Sequence, residues 1–298
     1  MRILNRLTKI FNESKEIDID DNSKIIIMSD LHRGDGNWSD SFARNQNVFF
    51  AALSYYYQKN YTYIELGDGD ELWELRDFKE IIREHSDVFW LIKKFYEDNR
   101  FYMIFGNHDI VKKDKKFVEE NLYYYYSERD HENFPLFKDI EVHEGLVLNY
   151  RDYNSKIFLV HGHQVEFKNY DIWPITRFLI RYFWRPLELY GFNDTTRTAK
   201  NYKSRFRVGE KLTQWVRYNK HILIAGHNHR PYFPEVGKQP YFNDGSCVHP
   251  RCITGIEIVD GHIMLIKWSV KANEEGLLYV GKDILAGPRK LDLYFYQK

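Results

Sequence analysis

Five short runs in this chain end in the same way. Ile25 to Met28, Tyr61 to Leu66, Met103 to Phe105, Ile157 to Val160 and Ile222 to Ala225 are largely apolar, and each gives way to residues with oxygen or imidazole side chains. The clusters read Ser29-Asp30-Leu31-His32, Gly67-Asp68-Gly69-Asp70-Glu71, Gly106-Asn107-His108-Asp109, His161-Gly162-His163 and Gly226-His227-Asn228-His229. Runs this short, bounded by glycine and polar residues, predict buried strands. A folding requirement gives no reason for carboxylate, amide and imidazole to recur at five strand ends. A site for two metal ions needs such a mixed nitrogen and oxygen set.

Between the runs, Phe42 to Gln58 and Val88 to Tyr96 carry apolar residues at helical spacing, so strands alternate with helices through the first half. The pattern predicts an α/β sheet covered by helices, with ligands gathering where loops converge at the carboxyl ends of the strands. From about Glu166 to Lys220 the alternation lapses into a stretch rich in aromatic residues and arginine, read as a helical unit inserted in one domain spanning 1–298. The last third returns to strands at Tyr241-Phe242, Ile256 to Ile258 and Ile263 to Ile266, the latter two flanking a tight turn at Asp260-Gly261. Near the start, Ile3, Leu4, Leu7, Ile10 and Phe11 share one helical face, which fits a helix docked on the core or one lying on a membrane surface.

Composition narrows the function. Lys+Arg and Asp+Glu are both 43, a formal net charge of +0, so no global field draws the chain to nucleic acid and any attraction for anions must be local. Two cysteines, Cys247 and Cys252, are too few for a disulfide framework and fit a reducing cytoplasm. Arg2, Arg6 and Lys9 interrupt the apolar residues of the first helix, which argues against a signal peptide, and no apolar stretch is long enough to span a bilayer. The expectation is a cytoplasmic protein, with peripheral membrane contact left open. There is no glycine-rich phosphate loop and no Gly-x-Ser-x-Gly nucleophile elbow.

The order D-x-H, GD-x-x-E, GNHD, HGH and GHNH, running from about residue 25 to 270, resembles the calcineurin-like metallophosphoesterases. The resemblance implies a four-layer α/β fold, a β-sandwich flanked by helices, and two divalent ions, Mn first with Fe or Zn as alternatives. Carried over motif by motif, it assigns Asp30, His32 and His229 to one ion and Asn107, His161 and His227 to the other, with Asp68 bridging. Ions about 3.5–4 Å apart can share a hydroxide that attacks the phosphorus in line. His108 matches the histidine that contacts the phosphate and protonates the leaving oxygen, with Asp109 or another carboxylate orienting it.

Within the family, Asp68 is not followed by the Asp-Arg-Gly continuation of protein phosphatases. The Ser-Asp-Leu-His start, the Gly-Asp-x-x-Glu motif and the insertion after His163 most resemble the UDP-2,3-diacylglucosamine pyrophosphohydrolase branch, which implies a helical lid over the site. Residues 166–220 hold about 12 Lys/Arg against about 5 Asp/Glu, an excess suited to a phosphorylated small-molecule or lipid-linked substrate, with Arg177, Arg181 and Arg185 as candidate contacts. Packing of the insertion on the main sheet is the alternative. Asp35 departs from that branch by adding negative charge beside the first motif. The leading function is hydrolysis of a phosphate ester or pyrophosphate; a phosphoprotein phosphatase and a non-catalytic metal-binding scaffold are the other readings.

Overall fold

The computed structural model describes residues 2–127, 129–184 and 202–296. Fourteen strands are described: β1 (Lys15–Ile19), β2 (Lys24–Met28), β3 (Thr62–Leu66), β4 (Phe101–Ile104), β5 (Tyr124–Ser127), β6 (Glu132–Pro135), β7 (Val142–His143), β8 (Gly145–Tyr150), β9 (Ser155–Val160), β10 (Ile222–Ala225), β11 (Tyr241–Asn243), β12 (Cys252–Val259), β13 (His262–Ala272) and β14 (Leu278–Lys290). They form a five-stranded sheet, β1-β8-β9-β10-β11, a seven-stranded sheet, β14-β13-β12-β2-β3-β4-β7, and the hairpin β5-β6. β2, β3 and β4 run parallel in one sheet, and β9 and β10 run parallel in the other. All five apolar runs are therefore strands whose carboxyl ends carry the ligand clusters.

Alternation along these strands builds the layers, because successive side chains point to opposite faces. Ile25 and Ile27, with Ile64, Leu66 and Ile104, face the other sheet and meet Leu146, Leu148, Ile157, Leu159, Ile222 and Ile224 in the central core. Ile26 and Met28, with Tyr63, Phe101 and Met103, face outward. They are covered by α2 (Gln46–Gln58), α3 (Phe78–Glu84) and α4 (Ser86–Glu97), counting α1 (Arg2–Glu13) as the first helix. The outer face of the five-stranded sheet, through Val147, Phe158, Val160, Leu223 and Ala225, packs on Leu7 and Ile10 of α1. The order is helices, sheet, sheet, helices, the expected four-layer sandwich.

Two local readings shift, and one that had two alternatives is decided. The helix expected from Phe42 begins at Gln46, because Asp40 takes the backbone N–H groups of Gly34, Gly36, Phe42 and Ala43 and holds that stretch as a loop. The apolar face of α1 is used on the core, with Leu7 and Ile10 buried and Ile3, Leu4 and Phe11 packed beside them, so this helix does not present that face to a membrane. No described helix is long and apolar enough to cross a membrane.

The stretch read as one insertion divides in two. Past the short α5 (Lys115–Asn121) come α6 (Phe167–Tyr170) and α7 (Trp173–Leu179), and the turn Ile180–Trp184 that continues α7 leans on the loop after Glu71, where Arg76 pairs with Tyr182. The next described helix, α8 (Tyr202–Asn219), is a core element: Val208, Leu212, Trp215 and Val216 are buried against the five-stranded sheet.

Candidate metal centre

β2 and β3 continue to pair beyond their ends. The backbone N–H of Asp30 donates to Gly67 O (3.0 Å), that of His32 to Asp68 O (2.9 Å) and that of Arg33 to Gly69 O (3.0 Å). Asp30 (φ 52°), His32 (51°) and Asp68 (51°) keep this pairing with left-handed backbone, and His227 (66°) and His229 (52°), after β10 in the other sheet, are left-handed as well. Such φ values are uncommon outside glycine, and five at one place are strain held where function lies. Gly106 solves a related problem: a Cβ there would overlap the Asp68 carboxylate.

The ligand atoms are each half-committed. Asp30 Oδ2 accepts from Ser29 Oγ (2.6 Å) and His227 N (2.8 Å), which leaves Oδ1. Asp68 Oδ1 accepts from His108 N (2.7 Å), which leaves Oδ2. His161 Nδ1 donates to Leu66 O (2.8 Å), since a carbonyl can only accept, so Nε2 is the nitrogen that becomes a bare ligand once its proton is displaced. Asp30 Oδ1, Asp68 Oδ2, His161 Nε2 and Asn107 Oδ1 are all buried without a hydrogen-bond partner. Two close pairs form among the ligands: His161 Nε2 lies 3.1 Å from Asp68 Oδ2 and His229 Nε2 lies 2.9 Å from Asp30 Oδ1. At such separations a positive charge must lie between each imidazole and its carboxylate, either a proton or a cation, and a mixed nitrogen and oxygen set of this kind suits a metal cation in the proton's place. Two ligand groups result, Asp30 with His32 and His229, and Asp68 with His161 and His227. The residues fit a pair of divalent ions.

The electrostatics agree. Burial by itself raises the carboxyls of Asp30 and Asp68, but His229 and His161 beside the first, and His161 and His108 beside the second, reverse this and hold both well below the usual range. Burial disfavours charge on His161, yet Asp68 and Asp30 push its ring up to about 9. At His229 burial wins and the ring is lowered. Cations would displace protons from such a set, so metal uptake weakens as pH falls.

His108 and Asp109, adjacent in sequence, have separate duties. His108 Nδ1 donates to Glu71 Oε1 (2.7 Å), and the other oxygen of Glu71 takes His32 Nδ1 (3.0 Å). Glu71 thus orients a metal ligand and the candidate acid together. Burial would raise its carboxyl, but His108 and His32 bring it down to about 2. Because both Glu71 oxygens already have hydrogen-bond donors, the His32, Glu71, His108 group is a positioning unit rather than a third metal site. Trp73 stacks on the His108 ring (4.5 Å, 24°) and leaves Nε2 as its open edge. Asp109 does not face His108. It accepts from Gly106 N (2.7 Å), Gly69 N (3.2 Å) and Lys112 Nζ (2.8 Å), tying two motif loops together, and this corrects its assignment as a catalytic group.

Behind Asp109 lies a cage that sequence reasoning missed. Arg33 donates to both oxygens of Glu65 (2.9 and 2.8 Å) and to Asp70 (2.7 Å), while Lys112 donates to Asp70 (2.5 Å). All these side chains are fully buried. Asp244 was missed as a partner too: its carboxyl lies 2.8 Å from Ser29 Oγ, whose single hydrogen goes to Asp30, and burial beside Asp30 pushes that carboxyl well up, which favours a protonated Asp244 as the donor to Ser29. Glu166, at the entry to the inserted stretch, contacts His227 Nε2 at 2.9 Å.

The arginines expected to bind substrate fall elsewhere. Arg181 spends its guanidinium on the carbonyls of Leu72 (2.7 Å), Trp73 (3.0 Å) and Leu75 (2.6 Å), clamping the turn after Glu71, which corrects its reading as a substrate contact. Arg177 lies by Trp173 (6.0 Å) with Nε buried and unpaired. Arg185 lies outside the described residues. Asp35 joins none of the ligand groups among the described residues.

The calcineurin-like phosphoesterase family model matches residues 23–231. No curated protein matches the chain significantly. Among solved structures, a Streptococcus pneumoniae protein described as a predicted phosphoesterase is 17% identical, with 88% of this chain and 97% of that one covered and a TM-score of 0.35. Vps29 from Chaetomium thermophilum is 12% identical (89% and 96% covered, TM-score 0.41), and Vps29 from Entamoeba histolytica, in complex with Zn²⁺, is 16% identical (88% and 98%, TM-score 0.38). At these values the likenesses bear on neither activity nor substrate. The match over residues 23–231, which takes in all five ligand clusters, shows that this chain belongs to the calcineurin-like phosphoesterase family.

Proposed function

We propose that this chain is a two-metal hydrolase of phosphate esters or pyrophosphates, with a nucleotide-linked or lipid-linked pyrophosphate as the leading substrate class. The observation that carries this reading is the convergence of buried ligand atoms, Asp30 Oδ1 with His229 Nε2 and Asp68 Oδ2 with His161 Nε2, beside a buried Asn107 Oδ1 that has no hydrogen-bond partner. Asp30, His32 and His229 would hold one ion, Asn107, His161 and His227 the other, and Asp68 would reach both. Two divalent ions, Mn²⁺ first and Fe or Zn as alternatives, would supply a water of lowered pKa and neutralise charge on the phosphoryl oxygens.

The chain's own residues do the rest. Glu71 holds Nδ1–H of His108 and so keeps the ring aligned, with Nε2 as the atom that passes a proton to the leaving oxygen. The Trp73 ring limits rotation and shields one face from water. Ser29 and the His227 N–H fix the Asp30 carboxylate in one rotamer, and the His108 N–H does the same for Asp68.

The test is to strip the protein with chelator, restore Mn²⁺ and measure hydrolysis of p-nitrophenyl phosphate, bis-p-nitrophenyl phosphate, UDP-linked substrates and nucleoside diphosphates. Mn²⁺-dependent turnover on any of these supports the proposal. Metal binding without turnover on any of them favours a scaffold of the same fold.

A further inference from the structure

A groove of about 840 Å³ runs beside the metal centre, between α8 and the loop after β10, and nothing so far accounts for it. Its position follows from topology. α8 ends at Asn219 and the chain enters β10 at Ile222, so the helix runs back along that strand and its early turns flank the ligand end. Two contacts agree: Lys211 Nζ donates to Val165 O (2.8 Å), and a Cβ on Gly162, next to His161, would meet Leu212 at 3.7 Å. Asn228, between the ligands His227 and His229, lines the groove. It is 7% exposed and its Oδ1 has no partner.

The lining chemistry is specific. Arg207, Lys211, Arg217 and Arg230 face a single carboxylate, Glu210, in a chain whose formal net charge is +0. Arg207 and Arg217 make no ion pair among the described residues and are exposed. Tyr232, 48% exposed, stacks on the buried Tyr241 (5.8 Å, 28°), so its ring is held from behind and offers its other face. A concave site of this size suits a small molecule rather than a protein segment, guanidinium groups suit phosphate, and a rigid aromatic face suits a flat ring.

We propose that this groove binds the nucleoside end and second phosphate of a nucleotide substrate whose scissile phosphate occupies the metal centre, with the base against Tyr232 and the anion met by Arg207, Arg217 and Arg230. This rests on the phosphoesterase reading and narrows it to nucleoside diphosphate compounds. Two probes separate the groove from the metals: α,β-methylene-ADP, whose P–C–P link resists hydrolysis, and methylenediphosphonate, which lacks the nucleoside. Calorimetric titration of the full-length Mn²⁺-loaded protein is expected to show at least about tenfold tighter binding of the nucleotide. Tyr232→Ala removes that gap, and Arg207→Glu weakens nucleotide binding about tenfold or more. Lys116→Glu, an equal charge change at an exposed site that does not line the groove, leaves it unchanged. Equal affinity for the two probes, or a gap that survives both groove variants in folded protein, overturns the proposal. Turnover of p-nitrophenyl phosphate with no nucleotide preference removes the groove and keeps the phosphoesterase. A variant-sensitive preference with no turnover does the reverse.

Discussion

Replacing Lys112 by Met tests whether the buried cage behind the metal centre holds it in place. Lys112 Nζ donates to Asp70 (2.5 Å) and Asp109 (2.8 Å), and the cage also contains Arg33 and Glu65. Three carboxylates face two cations, so Lys112→Met leaves three against one with no solvent to screen them. Breaking a buried ion pair by removing one partner costs about 3–5 kcal/mol, roughly a fifth or more of the stability of a typical domain, about 5–15 kcal/mol. The loss is also pH-dependent. Burial raises the Asp70 carboxyl, but Arg33 and Lys112 bring it to about 2, below its unfolded value of 3.8. A depressed folded pKa adds stability that is complete above the unfolded value and disappears as pH falls through the folded one. With Lys112 gone the folded pKa rises, so the variant's deficit is greatest at neutral pH and narrows from about pH 4 towards about pH 2. Urea unfolding followed by tryptophan fluorescence measures this. A neutral-pH deficit under about 1 kcal/mol, the value of an exposed pair, or a deficit equally large at about pH 3, refutes the reasoning.

Other outcomes follow from the same geometry. His108→Ala is expected to retain its metal while kcat falls by about 10²–10⁴-fold; unchanged turnover with metal bound takes His108 out of the mechanism. Gly106→Ala, which drives a Cβ into the Asp68 carboxylate, is expected to weaken Mn²⁺ binding by about 10–100-fold, and calorimetric titration with unaltered affinity would show that the approach is not needed. Peripheral membrane contact, if made through the exposed Phe178, Leu179 and Phe183 near Arg177, gives co-sedimentation with anionic liposomes that weakens with salt. Protein left in the supernatant at low ionic strength removes that interface.

What the sequence made legible was what is local. A buried strand in a sandwich is a short apolar run, and a ligand loop directly after it is spelled in consecutive residues, so β2, β3, β4, β9 and β10 and their clusters could be read directly. Adjacency misled at Asp109. The neighbour of His108 in sequence turns back to Gly106 N and Lys112, while the carboxylate that does reach His108 is Glu71, 37 residues away. The cage joins Arg33 to residues 32 and 37 positions away, a pairing that exists only once β2 and β3 align. Arg181 was misread because excess positive charge suggests an anion, whereas the carbonyls of a tight turn make an equal claim on a guanidinium. Val208, Leu212, Trp215 and Val216 have helical spacing, and that signal could have separated α8 from the rest of the inserted stretch.

The central claim is that seven side chains hold two cations with Asp68 between them, and metal analysis of the purified, Mn²⁺-equilibrated protein tests it most directly. The expected result is about two ions per chain, with Asp68→Asn losing at least one of them while remaining folded. A wild-type protein that takes up none, or an Asp68→Asn variant that binds two as tightly as wild type, contradicts the account.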